Sequence, residues 1–307
     1  MTAGYLQWLD ALLERGAQSL SEAFRQVQVG YVTSPQLPDG GFPGRDGGPD
    51  IYYTDFGLRV VSLLDPSNEA VRRAAPFVRA AADGVQNIVE CFCLLNCSRM
   101  LARCGVRVGL DTESISRIIN GQRLAAGGFA RPGGTGISAY NTYIGGLCYE
   151  VLCEDTRQVA AAASALGSLQ GAGGGFKEQP GEGCEQTSAT AAAIGFLQMT
   201  GRCSRQQAAA ATGFLQLMQC ADGGFLAHEH APCSDLLSTF TGLVTLAALD
   251  ALERVDLPAA ARFVRDAARP DGGFAAFPSD DVGDIEYTYY GLACLAILRS
   301  AGGSKAD

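Results

Sequence analysis

Apolar residues recur at helical spacing along almost the whole chain, in runs of two kinds. Runs of the first kind, such as "DIYYTDFGLRVVSLL", "NIVECFCLLNCSRML" and "DIEYTYYGLACLAIL", are apolar nearly all round and predict helices buried on most sides. Runs of the second kind keep one polar face. "PSNEAVRRAAPFVRAA", "TRQVAAAASALGSLQ", "SRQQAAAATGFLQLMQ" and "PAAARFVRDAA" belong here and predict half-exposed helices. The opening "MTAGYLQWLDALLERGAQSL" carries Asp10 and Glu14 within its apolar spacing. It reads as an amphipathic helix rather than a signal peptide, and no window is long enough to span a bilayer.

The two kinds of run are punctuated by a repeated signature. Gly-Gly-Phe occurs with its Phe at 42, 129, 176, 225 and 274, at separations of 87, 47, 49 and 49. The long first interval holds a copy that has lost the signature, which makes six units. Behind each loop a small polar residue stands seven positions before a glycine: Asp50 and Gly57, Ser138 and Gly145, Ser188 and Gly195, Asp235 and Gly242, Asp284 and Gly291. Asn87 opens the eroded copy. Each polar residue is placed to cap the helix that follows, by accepting bonds from its free first-turn N–H groups. Glycine inside a helix costs about 1 kcal/mol against alanine, so close approach of a neighbouring helix is the expected compensation. The Phe is expected to plug one end of the assembly.

Units of two helices at a period near 49 residues cannot bury both helices alone and must stack. Six of them can form an open solenoid or close into a ring. First helices apolar all round favour closure, as the inner layer of an all-α, six-unit α6–α6 barrel. We take residues 1–307 as one such domain, with 1–38 an N-terminal helical segment and 39–300 the repeats.

Charge and cysteine content narrow the function classes. The net charge of -9 and the lack of any Lys/Arg run argue against a nucleic-acid surface. The eleven cysteines sit mostly at apolar helical positions and include no C-x-x-C pair. Reduced thiols in a cytoplasmic protein are expected, without a ribbon-type zinc.

The stretches "DGGFPGRDGGPDIYYTDFGL" and "DIEYTYYGLACLAIL" resemble repeats of the protein prenyltransferase β subunit and of the squalene-hopene and related terpene cyclases, over about residues 39–300. That resemblance implies a barrel with a central cavity. In prenyltransferases it also implies a zinc held by Asp and Cys of a D-x-C-Y-S stretch and by a His in the last repeat. Here "DLLST" keeps Asp235 but has Leu237 at the Cys position, and "DIEYT" has Tyr287 at the His position. One family ligand remains, so no zinc cofactor is expected. The loop "AHEHAPCSD" holds the only two histidines, His228 and His230, with Glu229 and Cys233 nearby. It reads either as a metal-donor loop or as a solvated one. The cyclases protonate substrate with D-x-D-D; the nearest stretch, "PSDDVGDIE", has Asp280, Asp281, Asp284 and Glu286 at the wrong spacing. Those carboxylates would still raise one another's pKa if partly buried.

The resemblance implies an isoprenoid diphosphate in the barrel. If the inner helices share a direction, their N-termini give one mouth a positive potential suited to that anion. Candidates to assist are Arg45, Arg131, His228, His230, Tyr53 and Tyr287, with walls from Tyr52, Phe56, Phe92, Tyr140, Tyr143, Phe240, Tyr289 and Tyr290. The unit "SATAAAIGFL" has almost no aromatics and would widen the cavity on its side. The expected activity is prenyl transfer, with Asp235, Tyr287, Asp284 and Glu286 at the reacting end. Alternatives are a non-catalytic binding scaffold, and a cyclase using the carboxylates from Asp280 to Glu286. The implied partner is a helical-repeat α subunit; the N-terminal helix suggests a cover for the barrel or a homodimer surface.

Overall fold

The computed structural model describes residues 4–125, 127–155, 159–181 and 183–302. The described residues hold six inner helices, all but α5 behind a signature loop: α3 (Ile51–Leu64), α5 (Ile88–Arg103), α7 (Ala139–Val151), α9 (Thr187–Met199), α11 (Leu236–Ala248) and α13 (Ile285–Gly302). Each packs on the next, and α13 returns to α3, so the ring is closed. The outer layer is α2 (Glu22–Thr33), α4 (Glu69–Ala81), α6 (Thr112–Gly121), α8 (Ala162–Gly167), α10 (Arg205–Met218) and α12 (Leu257–Asp266). For "TRQVAAAASALGSLQ" the described helix is the short α8, and residues 156–158 lie outside the described residues.

Inner helices start where the caps were expected, with one exception. Asp50, Asn87, Ser138, Asp235 and Asp284 each accept a first-turn N–H of the following helix. Ser188 does not cap; Gln186 holds that position, without a side-chain bond. The first N–H of α9 instead donates to the Ala227 carbonyl of the next loop, so the helix begins earlier than its serine.

That register exposes the true repeat unit. In each signature loop the Phe N–H donates to a threonine hydroxyl one turn into the inner helix: Phe42 to Thr54, Phe129 to Thr142, Phe176 to Thr190, Phe225 to Thr239 and Phe274 to Thr288. Three residues beyond the threonine comes Gly57, Gly145, Ala193, Gly242 or Gly291. The glycine therefore accommodates the phenylalanine, not a neighbouring helix: a Cβ at Gly57 would lie 2.8 Å from the Phe42 ring, and one at Gly291 2.3 Å from Phe274. The first glycine of the signature has φ of 91–102° at 40, 127, 174, 223 and 272, where a side chain is strained. It also rests on an outer helix, Gly40 against the Arg73 carbonyl of α4. The fully buried Phe is thus wedged between the layers and does not plug the barrel end.

The far end is closed by α1 (Tyr5–Ala17). Its apolar side, with Leu6, Leu9, Leu12 and Leu13, is buried. Its backbone touches α13 so closely that a Cβ at Gly16 would fall 1.8 Å from the Ala296 carbonyl oxygen. Glu150, at the end of α7, supplies the cap that α1 lacks: its carboxylate accepts from the N–H of Tyr5 (2.9 Å) and Leu6 (2.7 Å). Asp10 pairs with Arg99 and Arg103 at the end of α5. Because two charge-assisted bonds hold the start of α1, Glu150→Ala should cost about 2 kcal/mol. Urea unfolding measures the loss, and proteolysis should then cut within residues 5–17 first.

Among the described residues no helix is long and apolar enough to cross a membrane. The cysteines are free thiols; Cys91, Cys93, Cys97, Cys148 and Cys294 are buried.

Candidate functional site

The inner helices begin at one mouth, as bonds between successive loops show. The N–H of Ala139 donates to the Glu178 carbonyl and that of Leu236 to the Ala276 carbonyl, each reaching into the loop of the following unit. At the seam between α13 and α3, Glu286 is the centre of the polar contacts. It accepts from the hydroxyls of Tyr52 (2.8 Å) and Tyr290 (3.1 Å). Burial pushes its carboxyl up, against the lowering effect of those two bonds.

Below Glu286 the rings converge. Phe56 meets Tyr289 at 5.6 Å and Tyr290 at 5.4 Å, and Phe240 stacks on Tyr290 at 5.4 Å. Phe56, Phe240, Tyr289 and Tyr290 are buried in this mutual packing, so here the barrel's centre is filled by its own side chains rather than hollow. The guanidinium of Arg59 lies under them, 5.2 Å from the Phe56 centroid, 5.6 Å from Phe92 and 5.1 Å from Tyr289. The side of the helix "SATAAAIGFL" is not widened either: Tyr143 packs on Gly195, and Tyr5 of α1 meets Tyr143 edge-on at 5.7 Å. What stays open at the mouth is a first-turn rim of Tyr52, Leu237, Tyr287 and the exposed Tyr140.

The charged candidates divide around this rim. Arg45 donates to the Tyr53 hydroxyl at 2.8 Å and lies 4.0 Å from Asp284, at the α3–α13 seam. Arg131 sits across the ring, paired with Glu178 at 3.4 Å. Glu178 also accepts from Ser138 Oγ (2.5 Å) and the Tyr140 N–H (3.2 Å), and so occupies the start of α7. Acidic groups likewise occupy the starts of α3 (Asp50), α5 (Glu90), α11 (Asp235) and α13 (Asp284). The expected positive potential at the mouth is therefore largely cancelled by the protein's own carboxylates. Burial raises the pKa of Asp235 and of Asp284, and that of Tyr287 to about 12.

A zinc ion does not fit this donor set. Both oxygens of Asp235 are engaged by Ser238, one by its N–H at 2.7 Å and one by its hydroxyl at 2.8 Å. Leu237 offers no donor. The loop histidines do not compensate: His230 is exposed, its N–H donates to His228 Nδ1, and Cys233 is exposed. Among the described residues no group of three His, Cys, Asp or Glu is placed to hold a metal. Of the "PSDDVGDIE" carboxylates, Asp280, Asp284 and Glu286 are half-buried, but Asp280 accepts from the Val282 N–H within its own loop and Asp281 is exposed near Arg269, which leaves Asp284 and Glu286 at the start of α13.

The raised pKa of Glu286 has a sign that can be tested. A carboxyl that holds its proton more tightly when folded contributes stability below the unfolded value of about 4.3, lost as pH rises through the folded value. Glu286→Gln, which keeps the shape without the charge, should flatten that slope and raise the urea midpoint at pH 8 more than at pH 4. An unchanged pH dependence would place the titrating group elsewhere.

Comparison with known proteins agrees with this architecture. The chain resembles Candida albicans protein geranylgeranyltransferase-I complexed with GGPP at TM-score 0.67 and 15% identity, over 80% of this chain and 83% of that one. It resembles the type II terpene cyclase MstE from Scytonema at TM-score 0.63 and 12% identity, over 92% and 98%. A glycosidase in complex with glucose gives TM-score 0.58 and 14% identity, over 94% and 96%. At such identities the likeness is one of fold, and that fold carries more than one chemistry. No curated protein matches the sequence. The model of the prenyltransferase alpha-alpha toroid domain matches residues 146–307, more than half of the chain, and the protein belongs to that family.

Proposed function

We propose that the protein binds an isoprenoid chain at the mouth where the inner helices begin, without zinc-dependent transfer. The observation that supports this is a first-turn rim of half-buried Tyr52, Leu237 and Tyr287 and exposed Tyr140, with Tyr52 bonded to Glu286 and Tyr287 packed on Tyr290, above a packed aromatic floor. Rings and leucine suit a branched alkenyl chain, whose burial contributes about 25 cal/mol per Å². Arg45 is the group available to an anionic end, while the rim carboxylates oppose a diphosphate. The geranylgeranyltransferase neighbour holds GGPP, and for this chain the corresponding ligand is geranylgeranyl diphosphate or its alcohol. A helical-repeat partner or a second copy is the assembly that the family resemblance suggests for it.

Titration calorimetry separates the cases. We expect geranylgeraniol to bind within about tenfold of geranylgeranyl diphosphate, because the chain and not the head supplies the affinity. Heat with the diphosphate alone would restore the diphosphate-anchored reading, and heat with neither would leave a scaffold.

A second reading rests on Glu286 alone. A half-buried carboxyl with raised pKa, held by two tyrosines beside stacked rings, is suited to donate a proton to an alkene, as in a cyclase. Arg59 opposes it, since its cation already occupies the faces of Phe56, Phe92 and Tyr289 that would steady a carbocation. Incubation with polyprenyl substrates, with cyclised product lost in Glu286→Gln, decides the matter.

A further inference from the structure

The carboxylates around the mouth are not equivalent. Asp50 and Asp284 each turn an oxygen to first-turn N–H groups of α3 and α13, and both oxygens of Asp235 face Ser238. Glu286 accepts from no backbone group. Its Oε1 takes the hydroxyls of Tyr52 and Tyr290, and its Oε2 has no hydrogen bond among the described residues. That oxygen is not shut in. Among the described residues, the side-chain atoms both buried and unbonded are Arg25 Nε and Gln36 Oε1, so Glu286 Oε2 is open to solvent.

Nor does the protein supply Glu286 with a counter-ion. Arg45 bonds the Tyr53 hydroxyl and lies 4.0 Å from Asp284. Arg59, below the aromatic floor, pairs with Asp55, and Arg131 pairs with Glu178 across the ring. Among the described residues no other cation is in ion-pair contact with Asp50, Asp235, Asp284 or Glu286. A helix start carries about half a positive charge. Arg45 and the starts of α3 and α13 therefore offset two of the three carboxylates at this seam, Asp50, Asp284 and Glu286. One negative charge is left, and Glu286 holds the oxygen free to use it.

Two phenols near Glu286 are unbonded as well. The hydroxyls of Tyr140 and Tyr287 have no partner among the described residues, whereas those of Tyr52, Tyr53 and Tyr290 do. Tyr140 is 42% exposed, and Tyr287 packs on Tyr290 at 6.0 Å. Burial raises the pKa of both phenols, and the Glu286 charge adds to it from within the same mouth.

We propose that the mouth takes its isoprenoid ligand as an amine, whose ammonium donates to Glu286 Oε2 and finds further acceptors in the Tyr140 and Tyr287 hydroxyls. The inference rests on the isoprenoid reading of the mouth and concerns the head group alone. An ammonium brings three donors and one positive charge, and each of the three free groups can accept. Tyrosine faces strengthen the hold on a cation. An alcohol brings one donor and no charge, and a diphosphate would set its own charge against Glu286.

Titration calorimetry at pH 8 with geranylgeraniol and geranylgeranylamine tests this; an alkyl ammonium, with a pKa of about 10, is charged there. One amine should bind per chain, about tenfold or more tighter than the alcohol of the same length. In Glu286→Gln, which keeps the shape without the charge, that ratio should fall to about threefold or less. Tyr140→Phe removes one acceptor and no charge, and should lower the ratio about threefold. If the alcohol binds and the amine binds no tighter, the ammonium head is overturned and the isoprenoid reading stands. If neither binds, both fall. Several amines per chain would mark adsorption to an acidic surface, and an undiminished ratio in both variants would place the preference elsewhere; either result overturns the proposal.

Discussion

Asp55→Ala is expected to lower the stability of the fold by about 3 kcal/mol. Asp55 is 1% exposed and accepts from Arg59 Nε at 2.8 Å and from Asn96 Nδ2 at 2.6 Å. Burial raises its pKa, and the Arg59 guanidinium acts against that. Removing it leaves the Arg59 cation beside three aromatic rings without a counter-charge, and strands the Asn96 amide. The figure is at the lower end for a buried pair because Arg59 still reaches a cavity under α1. Urea unfolding of Asp55→Ala, Arg59→Met and the double variant forms the cycle. The double variant should recover most of the loss, since replacing both members with apolar groups removes the desolvation along with the attraction. A double variant no more stable than Asp55→Ala would mean that Asp55 acts through Asn96 and the α5 helix instead.

The second large effect lies in the wedge that defines the repeat. Phe129→Ala should cost about 3–5 kcal/mol, the range for emptying a fully buried phenylalanine site. Gly145→Ala should cost about 1–3 kcal/mol for the opposite reason: its Cβ would fall 2.2 Å from Cε2 of Phe129. The two are coupled, because the new methyl occupies part of the space the ring leaves. The double variant should therefore be less destabilised than the sum of the singles, by at least 1 kcal/mol. Strict additivity would show that the ring and the glycine do not meet in solution.

Much of the fold was legible in the spacing of residues. Cap, threonine and glycine at positions zero, four and seven of an inner helix are local relations along one helix, so Asp50, Thr54 and Gly57 carry them in the sequence itself. The threonine is the position that fixes the register of the unit. Once it is included, Gln186, Thr190 and Ala193 fall into line, and Ser188 and Gly195 cease to mimic the repeat. Closure could be inferred because helices apolar on all sides have no exposed face to leave at an open end.

Other features depended on which helices meet. That α1 covers the far end follows from Glu150, 145 residues away in the chain, accepting its first N–H groups. No periodicity in residues 5–17 encodes that partner. The packed aromatic floor, the carboxylates that cancel the helix dipoles, and the buried Arg25 Nε, which finds no acceptor, likewise arise from side chains of different units. The sequence by itself determined the repeat, the caps and the two-layer ring, since these rest on neighbours within a turn or two. Only the tertiary structure decided where the barrel is filled, where it is open and which polar groups are paired, because those depend on residues that the chain brings together from far apart.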